Sequence, residues 1–172
     1  MKKILSFLLV VCLLFSLSGC DFIADIADNA INDEVKPKTF EFEGISIELT
    51  TEFLRMDFIS DDYEFVVGNG EISVFGMKLP FEETELGECS VQEIAEYFHS
   101  AMEEDKPTEV TQIDGIPTFQ YSAVEDGETQ TIAVMMYKAK DCFWMLLFGG
   151  ETDDFYDEYD EICRYAKSVK CV

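Results

Sequence analysis

Basic residues are scarce in this sequence: 12 lysines and arginines stand against 36 aspartates and glutamates, which gives a formal net charge of −24. Because nucleic acid and anionic lipid head groups are negative themselves, a surface of this charge repels both of them. Neither is therefore expected as a partner. Basic proteins and cations stay open as partners, although a high charge of one sign also keeps a domain in solution without any ligand.

Histidine is scarcer still, since His99 is the only one in the chain. No GxSxG, HExxH or Ser-x-x-Lys motif accompanies it, so a hydrolytic triad and a zincin-type metal site have no basis in the sequence. His99 shares a helical face with Gln92, Glu96 and Glu103 and is expected to be a solvated surface residue. We expect no catalytic residues, no enzymatic activity and no cofactor.

Acidic clusters offer an alternative, the binding of a cation. They occur as "SDDYE" at 60–64, "EETE" at 82–85, which is predicted to be a loop, and "DDFYDEYDE" at 153–161. None has the alternating acids and the glycine of an EF-hand loop, so solvated acids are the simpler interpretation. The six cysteines contain no CxxC pair and their spacings suit no common zinc site, so no metal centre is predicted.

The first twenty residues carry the strongest motif of the chain. A basic head at Met1–Lys3 is followed by fourteen mostly apolar residues, "ILSFLLVVCLLFSL", a run too short to span a bilayer comfortably. Leu17, Ser18, Gly19 and Cys20 then resemble the lipobox of bacterial lipoproteins. The resemblance implies that Cys20 receives a diacylglyceryl group and becomes the new N-terminus. Two or three lipid chains anchor a protein stably, because each buried methylene contributes about 0.8 kcal/mol.

This motif divides the chain into three parts: a signal peptide at 1–19, a lipidated cysteine with a tether at 20–38, and a single α+β domain at 39–172. The expected location is the extracytoplasmic face of the cell membrane, with the lipid as the contact to the membrane. Asp21 implies retention at the inner membrane only if the cell is Gram-negative. An ordinary cleaved signal peptide and a retained anchor helix are the alternatives.

Four cysteines remain after Cys12 leaves with the signal peptide and Cys20 takes the lipid: Cys89, Cys142, Cys163 and Cys171. In an exported domain they allow two disulfides in three pairings, and free buried thiols are the alternative. The last helix is predicted to run back beside the strand before it. Its end then approaches the start of that strand, so Cys142 with Cys171 is the preferred pair.

Apolar periodicity predicts the order hairpin, hairpin, helix, antiparallel strands, helix. The apolar parity of the first hairpin switches at Glu43-Gly44, and "GNG" at 68–70 marks the second turn. Ser90 and Glu93 form a capping box at the start of the first helix. The chain has more aromatic residues than the core needs: Phe40, Phe42, Phe58, Phe65, Phe75, Phe81 and Tyr63. An exposed apolar patch is therefore an alternative to their complete burial.

Further strands are predicted at 109–113, 116–124 and 129–138. The continuously apolar segment "CFWMLLF" at 142–148 is typical of a central strand that is covered on both faces. "ETDDFYDEYDEICRYAKSVK" at 151–170 is predicted to be one closing helix, with acids in its first half and Arg164, Lys167 and Lys170 in its last.

This order, together with "GISIELTTEF", "DGIPTFQY" and "FWMLLFGGETDDFYDEYDEICRYAKSV", resembles the PsbP/Mog1-like superfamily over residues 40–170. The resemblance implies an α/β/α sandwich on a central, mostly antiparallel sheet of six to seven strands with two main helices. Its members mostly bind or assemble with other proteins, some bind metal ions, and they have no shared catalytic centre. The chain departs from the pattern at "LTTEF", where the superfamily commonly has a proline.

The expected function is therefore that of a lipid-anchored, non-enzymatic extracytoplasmic domain that binds a protein or a cell-envelope component. An acidic module that binds a cation or a small ligand is the alternative. An envelope enzyme of unrecognised mechanism is the third hypothesis.

Overall fold

The computed structural model describes residues 35–56, 63–84, 86–102, 107–125 and 127–172. The predicted signal peptide, the lipobox and most of the predicted tether lie outside these ranges. None of the helices within them is both long and apolar enough to cross a membrane.

The described residues form ten strands and four helices. The strands are β1 Pro37–Phe42, β2 Ile45–Thr50, β3 Leu54–Arg55, β4 Phe65–Gly68, β5 Ser73–Pro80, β6 Thr111–Ile113, β7 Ile116–Glu125, β8 Glu128–Lys138, β9 Cys142–Glu151 and β10 Lys170–Cys171. The helices are α1 Phe81–Thr84, α2 Val91–Ala101, α3 Thr152–Asp157 and α4 Tyr159–Ser168. The α1 turn occupies most of the segment "EETE", which was expected to be a loop.

Seven strands form a large antiparallel sheet in the order β3-β4-β5-β9-β8-β7-β6. Strand β9 is its middle strand, and every residue from Cys142 to Gly150 is buried. A strand without polar alternation has no face that prefers water, so it is most stable where both faces are covered. The predicted central strand and the predicted number of strands are confirmed.

A second sheet, which the sequence did not predict, joins β1, β2 and β10 in that order. The hairpin turn lies at Glu43-Gly44 as predicted, and Gly44 has φ +87°. Residues Ile45, Ile47 and Leu49 of β2 are all buried. Because only one face of this hairpin is apolar, the hairpin packs that face onto the large sheet instead of extending the large sheet at its edge.

Two apolar clusters lie on opposite faces of the large sheet. The first, which includes Trp144, Phe148 and Phe155, lies between the large sheet and a layer made of the small sheet with α3 and α4. The second, which includes Phe119 and Ile94, lies under α2, which packs on β7 and β8. The expected α+β sandwich with helices on both faces is confirmed, with the small sheet sharing one outer layer.

Helix α2 begins as the sequence predicts. The Ser90 hydroxyl accepts a hydrogen bond from the Glu93 backbone N–H at 3.2 Å, and the Glu93 carboxylate accepts one from the Ser90 N–H at 2.8 Å. The two hydrogen bonds satisfy donors that have no partner within the helix.

The predicted closing helix is divided in two at Glu158, so the prediction of one continuous helix is wrong. Helix α3 packs on β8 and β9, whereas α4 packs on β2 of the small sheet. The two helices therefore rest on different sheets. Val169 then has an extended backbone, and Lys170 belongs to β10 instead of to the last helical turn.

Candidate functional site

The residues of the predicted lipidation site, Leu17, Ser18, Gly19 and Cys20, lie outside the described residues. The chain enters the domain at Lys36, whose carbonyl accepts a hydrogen bond from the Thr51 N–H at 2.8 Å. Strand β1 begins directly after it, two residues before the predicted domain boundary at 39.

His99 is half-buried, and the prediction of a solvated histidine is wrong. Its ring meets the Phe119 ring edge to face, with 5.5 Å between the centroids. The Nε2 atom is buried and has no hydrogen-bond partner among the described residues. Position 99 lies one helical turn after the buried Ala95, on the side of α2 that rests on β7. His99 is thus a packing residue between helix and sheet.

The aromatic residues that raised the question of an apolar patch are packed in the described part of the chain. Phe40, Phe65 and Phe75 are buried. Phe42 stacks on Phe65 with 3.8 Å between the ring centroids, and Phe81 contacts Phe143. Tyr63 packs against the cluster under α2, and Phe58 lies outside the described residues. Exposed large apolar side chains are found instead on five separate segments: Val35, Tyr97, Val124, Tyr156 and Val172.

All four cysteines of the domain are thiols in the structure. Burial raises the pKa of Cys142 to about 11, and the Asp141 carboxylate adds to the shift. Burial also raises the pKa of Cys171 to about 11, and the neighbouring Cys142 adds to it. The structure therefore brings together the two cysteines that the sequence paired, and their disulfide stays a prediction.

A cluster of carboxylates on the described surface lies where β9 ends. We name it the acidic end and define it by Glu71, Glu128, Glu151, Asp153, Asp154 and Glu158. The β4–β5 turn reaches it because the Glu71 backbone lies against Gly150: a Cβ atom at Gly150 would be 2.4 Å from the Glu71 carbonyl oxygen. The β7–β8 turn reaches it because Gln130 pairs with Glu151.

The carboxylates of the acidic end repel one another. Repulsion by the Glu128 carboxylate raises the pKa of Glu151, and Asp154 and a hydrogen bond with Glu128 contribute to the shift. Burial raises the pKa of Glu158, and the Glu71 carboxylate adds to it. Like charges that cannot separate favour the protonated form, which raises the pKa of Glu151 and adds to the larger effect of burial at Glu158.

Two salt bridges lie elsewhere on the described surface: Arg164 pairs with Glu161, and Lys167 pairs with Asp114 at 2.8 Å. The described residues also contain no group of three histidine, cysteine, aspartate or glutamate side chains placed to hold a metal ion. Chemically, the acidic end is a spread of exposed negative charge that attracts cationic groups.

Local sequence patterns indicate only part of this surface. The acids of "DDFYDEYDE" are explained locally as the outer face of the last helix. Glu71 and Glu128 carry no local signal, because they lie on two separate turns that become neighbours of Glu151 only through the strand order of the large sheet.

No protein-family model matches the chain, and no curated protein matches it significantly. Its structure is similar to a crystal structure from Bacteroides thetaiotaomicron VPI-5482, with a TM-score of 0.55 and 10% identity over 80% of this chain. The chain spans about half, 48%, of that protein.

LpqN of Mycobacterium tuberculosis, which is involved in cell envelope biogenesis, is similar with a TM-score of 0.50 and 10% identity, over 84% of this chain and 95% of LpqN. Cyanobacterial PsbP from Synechocystis sp. PCC 6803 has a TM-score of 0.49 and 12% identity, over 83% of this chain and 95% of that protein. At these identities the similarity concerns the fold alone. The fold and the acidic end define a small α+β domain with one strongly anionic surface.

Proposed function

We propose that this protein is a lipid-anchored, non-enzymatic domain on the extracytoplasmic face of the cell membrane, where it binds a protein or cell-envelope component. The acidic end is the proposed contact surface, so the partner carries positive charge. The observation that carries the proposal is the convergence of carboxylates from the β4–β5 turn, the β7–β8 turn, the end of β9, helix α3 and the junction between α3 and α4.

Holding these carboxylates together costs folding stability. Like charges held together destabilise the folded state, and folding alone gives no reason to collect them. A cationic partner removes the repulsion when it binds, so part of the binding energy is the relief of this destabilisation. Because the carboxylates are exposed, the attraction falls with ionic strength.

Two further observations support the proposed location. Residues Leu17 to Cys20 resemble a lipobox, and none of the described helices is both long and apolar enough to span a membrane. LpqN, which has this fold, is involved in cell envelope biogenesis.

The location is tested by metabolic labelling with a clickable fatty acid. We expect label on the wild-type chain, which stays in the membrane fraction, and no label on Cys20→Ser, which loses the anchor. Cys12→Ser changes a cysteine that leaves with the signal peptide and is the matched control, expected to be labelled like the wild type. Equal labelling of Cys20→Ser and the wild type would reject the lipid anchor.

The contact surface is tested by charge removal at three exposed glutamates, Glu71→Gln, Glu128→Gln and Glu151→Gln, in one variant of the full chain. Cross-linking in intact cells, followed by recovery of the tagged chain, identifies the partner of the wild type. We expect this variant to recover at least tenfold less of that partner, and added salt to weaken recovery by the wild type.

The control variant carries Glu88→Gln, Glu96→Gln and Glu109→Gln, three exposed glutamates away from the acidic end. It has the same net charge as the first variant and is expected to retain the partner. Equal loss in both variants would show that net charge, and not the acidic end, attracts the partner. Turnover of a substrate by the purified chain would contradict the non-enzymatic assignment.

One observation favours the second candidate, a cation-binding module: the Glu128 and Glu151 side chains are close enough to hydrogen-bond to each other. Two carboxylates at this separation can share a divalent cation through oxygen ligands. Calorimetry of the full chain with Ca²⁺ and Mn²⁺ separates the two functions. Saturable heat that disappears in Glu128→Gln supports the cation site, and no heat at millimolar metal rejects it.

A further inference from the structure

Two cysteines from different sheets face the same layer of the core. Cys142 is the first residue of β9 and belongs to the buried cluster between the two sheets, on the same face of the strand as Trp144. Cys171 lies in β10 of the small sheet, pairs with Ile45 and packs against the same cluster. The side chains therefore enter one apolar layer from its two opposite sides.

Contacts next to the two cysteines hold β10 near the start of β9. The Val172 N–H donates to the Gly44 carbonyl at 3.1 Å, which fixes the chain end beside the β1–β2 turn. Gly44 lies against Trp144, because a Cβ atom there would be 3.8 Å from the indole Cζ2. Trp144 is two residues from Cys142 on the same face, so the contact at Gly44 brings Cys171 over the start of β9.

Electrostatic contacts agree with this geometry. After burial, which is the larger cause, Cys142 raises the pKa of Cys171. Cys171 likewise adds to the effect of burial in raising the pKa of Tyr137, the residue that pairs with Trp144 on β8. The Cys171 thiol thus lies near Cys142 and Tyr137.

The other two cysteines lie in different surroundings. Cys89 packs against the second cluster, on the opposite face of the large sheet, where its carbonyl accepts a hydrogen bond from Lys138 at 2.8 Å. Cys163 lies on α4 beside Tyr159 and Lys167. Neither is placed in the layer that Cys142 and Cys171 share.

We propose that Cys142 and Cys171 form a disulfide that fastens the C-terminal strand, and through it the small sheet, to the centre of the large sheet. Cys89 and Cys163 remain thiols. This goes beyond the proposed function, from which it takes only the oxidising surroundings of an exported domain.

The oxidant is a protein or small-molecule disulfide. The Cys171 thiolate attacks it, which gives a mixed disulfide and releases one thiol of the oxidant. The Cys142 thiolate then attacks the Cys171 sulfur and releases the second thiol. Two protons leave the cysteines and two electrons pass to the oxidant, so the step balances.

The thiol pKa values set when this reaction takes place. Both are raised to about 11, so few thiolates exist near neutral pH in the folded domain. The bond therefore forms mainly before β10 docks, while both thiols are still exposed.

Peptide mapping tests the linkage on the full chain, recovered from the membrane fraction and alkylated without reduction. Trypsin alone leaves Cys142 and Cys163 in one peptide, 141–164, so a second cleavage after glutamate is needed to separate them. We expect peptide 141–151 joined to the C-terminal dipeptide that contains Cys171. Alkylated Cys142 and Cys171, or a bond from Cys171 to another cysteine, would overturn the proposal.

Thermal unfolding gives the second measurement. Because the bond closes a loop of about 30 residues, reductant is expected to lower the melting temperature of the wild type by about 10 °C. Cys171→Ser should already melt at the lower temperature and ignore reductant. Cys163→Ser is the matched control and should behave like the wild type. A wild-type protein that is indifferent to reductant contradicts the disulfide.

A last experiment separates this proposal from the proposed location. The purified chain is reduced and unfolded, then refolded with oxidised glutathione, which should restore the bond between Cys142 and Cys171. Failure to restore it overturns the disulfide. Failure of the fatty-acid label overturns the location alone.

Discussion

Phe65 covers Gly76, its partner across the β4–β5 pair. A Cβ atom at Gly76 would lie 2.1 Å from the ring atom Cε1 of Phe65. Phe42 stacks on the other side of this ring with an angle of 6° between the planes, so the ring has little room to move away. The backbone at this position therefore requires a residue without a side chain.

We predict that Gly76→Ala destabilises the domain by about 1–3 kcal/mol, because the added methyl group displaces a packed ring. Urea unfolding measures the change. Gly87→Ala is the matched control, since its methyl group would meet Phe81 at an ordinary 3.4 Å, and its stability should stay close to that of the wild type. Equal stability of both variants would contradict the crowding at Gly76.

The side-chain environments at this scale were partly predictable. The segment 142–148 was predicted to be covered on both faces, and Trp144 within it is completely buried. The environment of His99 was not predictable, because its helical neighbours in sequence are acids while its contact, Phe119, comes from a strand that begins seventeen residues later. A helical pattern alone does not reveal how wide a strip of the helix the sheet covers.

At the scale of elements, helix α2 begins with a complete capping box, and we predict that Ser90→Ala destabilises the domain by about 1 kcal/mol. The change removes the acceptor for the Glu93 N–H and leaves that donor without a partner. Ser100→Ala is the control, because this hydroxyl donates only to the Tyr97 carbonyl within the same helix. A loss of stability in the control equal to that in Ser90→Ala would show that the cap contributes nothing.

The two hairpins, the central strand and helix α2 followed from local patterns, because side-chain alternation, turn glycines and caps act over a few residues. The division of the closing helix into α3 and α4 could not be predicted from local patterns, because its apolar stripe is continuous in sequence. Phe155 and Ile162 are both completely buried, but α3 rests on the large sheet and α4 on the small one. The break at Glu158 depends on a second sheet that local periodicity does not reveal.

At the scale of the whole molecule, charge determines how stability depends on pH. The pKa values of Glu151 and Glu158 are raised, so the folded state binds their protons more tightly than the unfolded state does. Their repulsion is therefore relieved as pH falls through the raised values towards the ordinary glutamate pKa of about 4.3. Hydrogen bonds from Ser90 lower the pKa of Glu93. The stability that the ionised Glu93 contributes is therefore lost only at more acidic pH.

We predict that stability increases as pH falls from 7 to about 5, and decreases again below the ordinary glutamate pKa. The variant Glu71→Gln, Glu128→Gln, Glu151→Gln should be more stable than the wild type at pH 7, by about 0.5–1 kcal/mol because these side chains are exposed and screened. The difference in stability between this variant and the wild type should shrink as pH falls towards 5. Denaturant unfolding at a series of pH values measures it.

The control for this prediction is the variant Glu88→Gln, Glu96→Gln, Glu109→Gln, which removes the same charge elsewhere. If the control variant gains as much stability at pH 7 as the acidic-end variant does, the effect is due to net charge. We expect the acidic-end variant to be more stable than the wild type and to lose the partner. This combination is typical of a surface whose residues serve binding at the expense of stability.

The amino-acid sequence by itself determined the two hairpins, helix α2, the fold class, the central place of β9 and the excess of negative charge. These depend on periodicity, turn chemistry and composition, which act locally or as sums over the chain. Only the tertiary structure decided that the first hairpin forms a sheet with β10, that His99 packs on β7, and that Glu71, Glu128 and Glu151 become neighbours. Each of these depends on which distant segments pack together, because packing brings into contact residues that no local pattern relates.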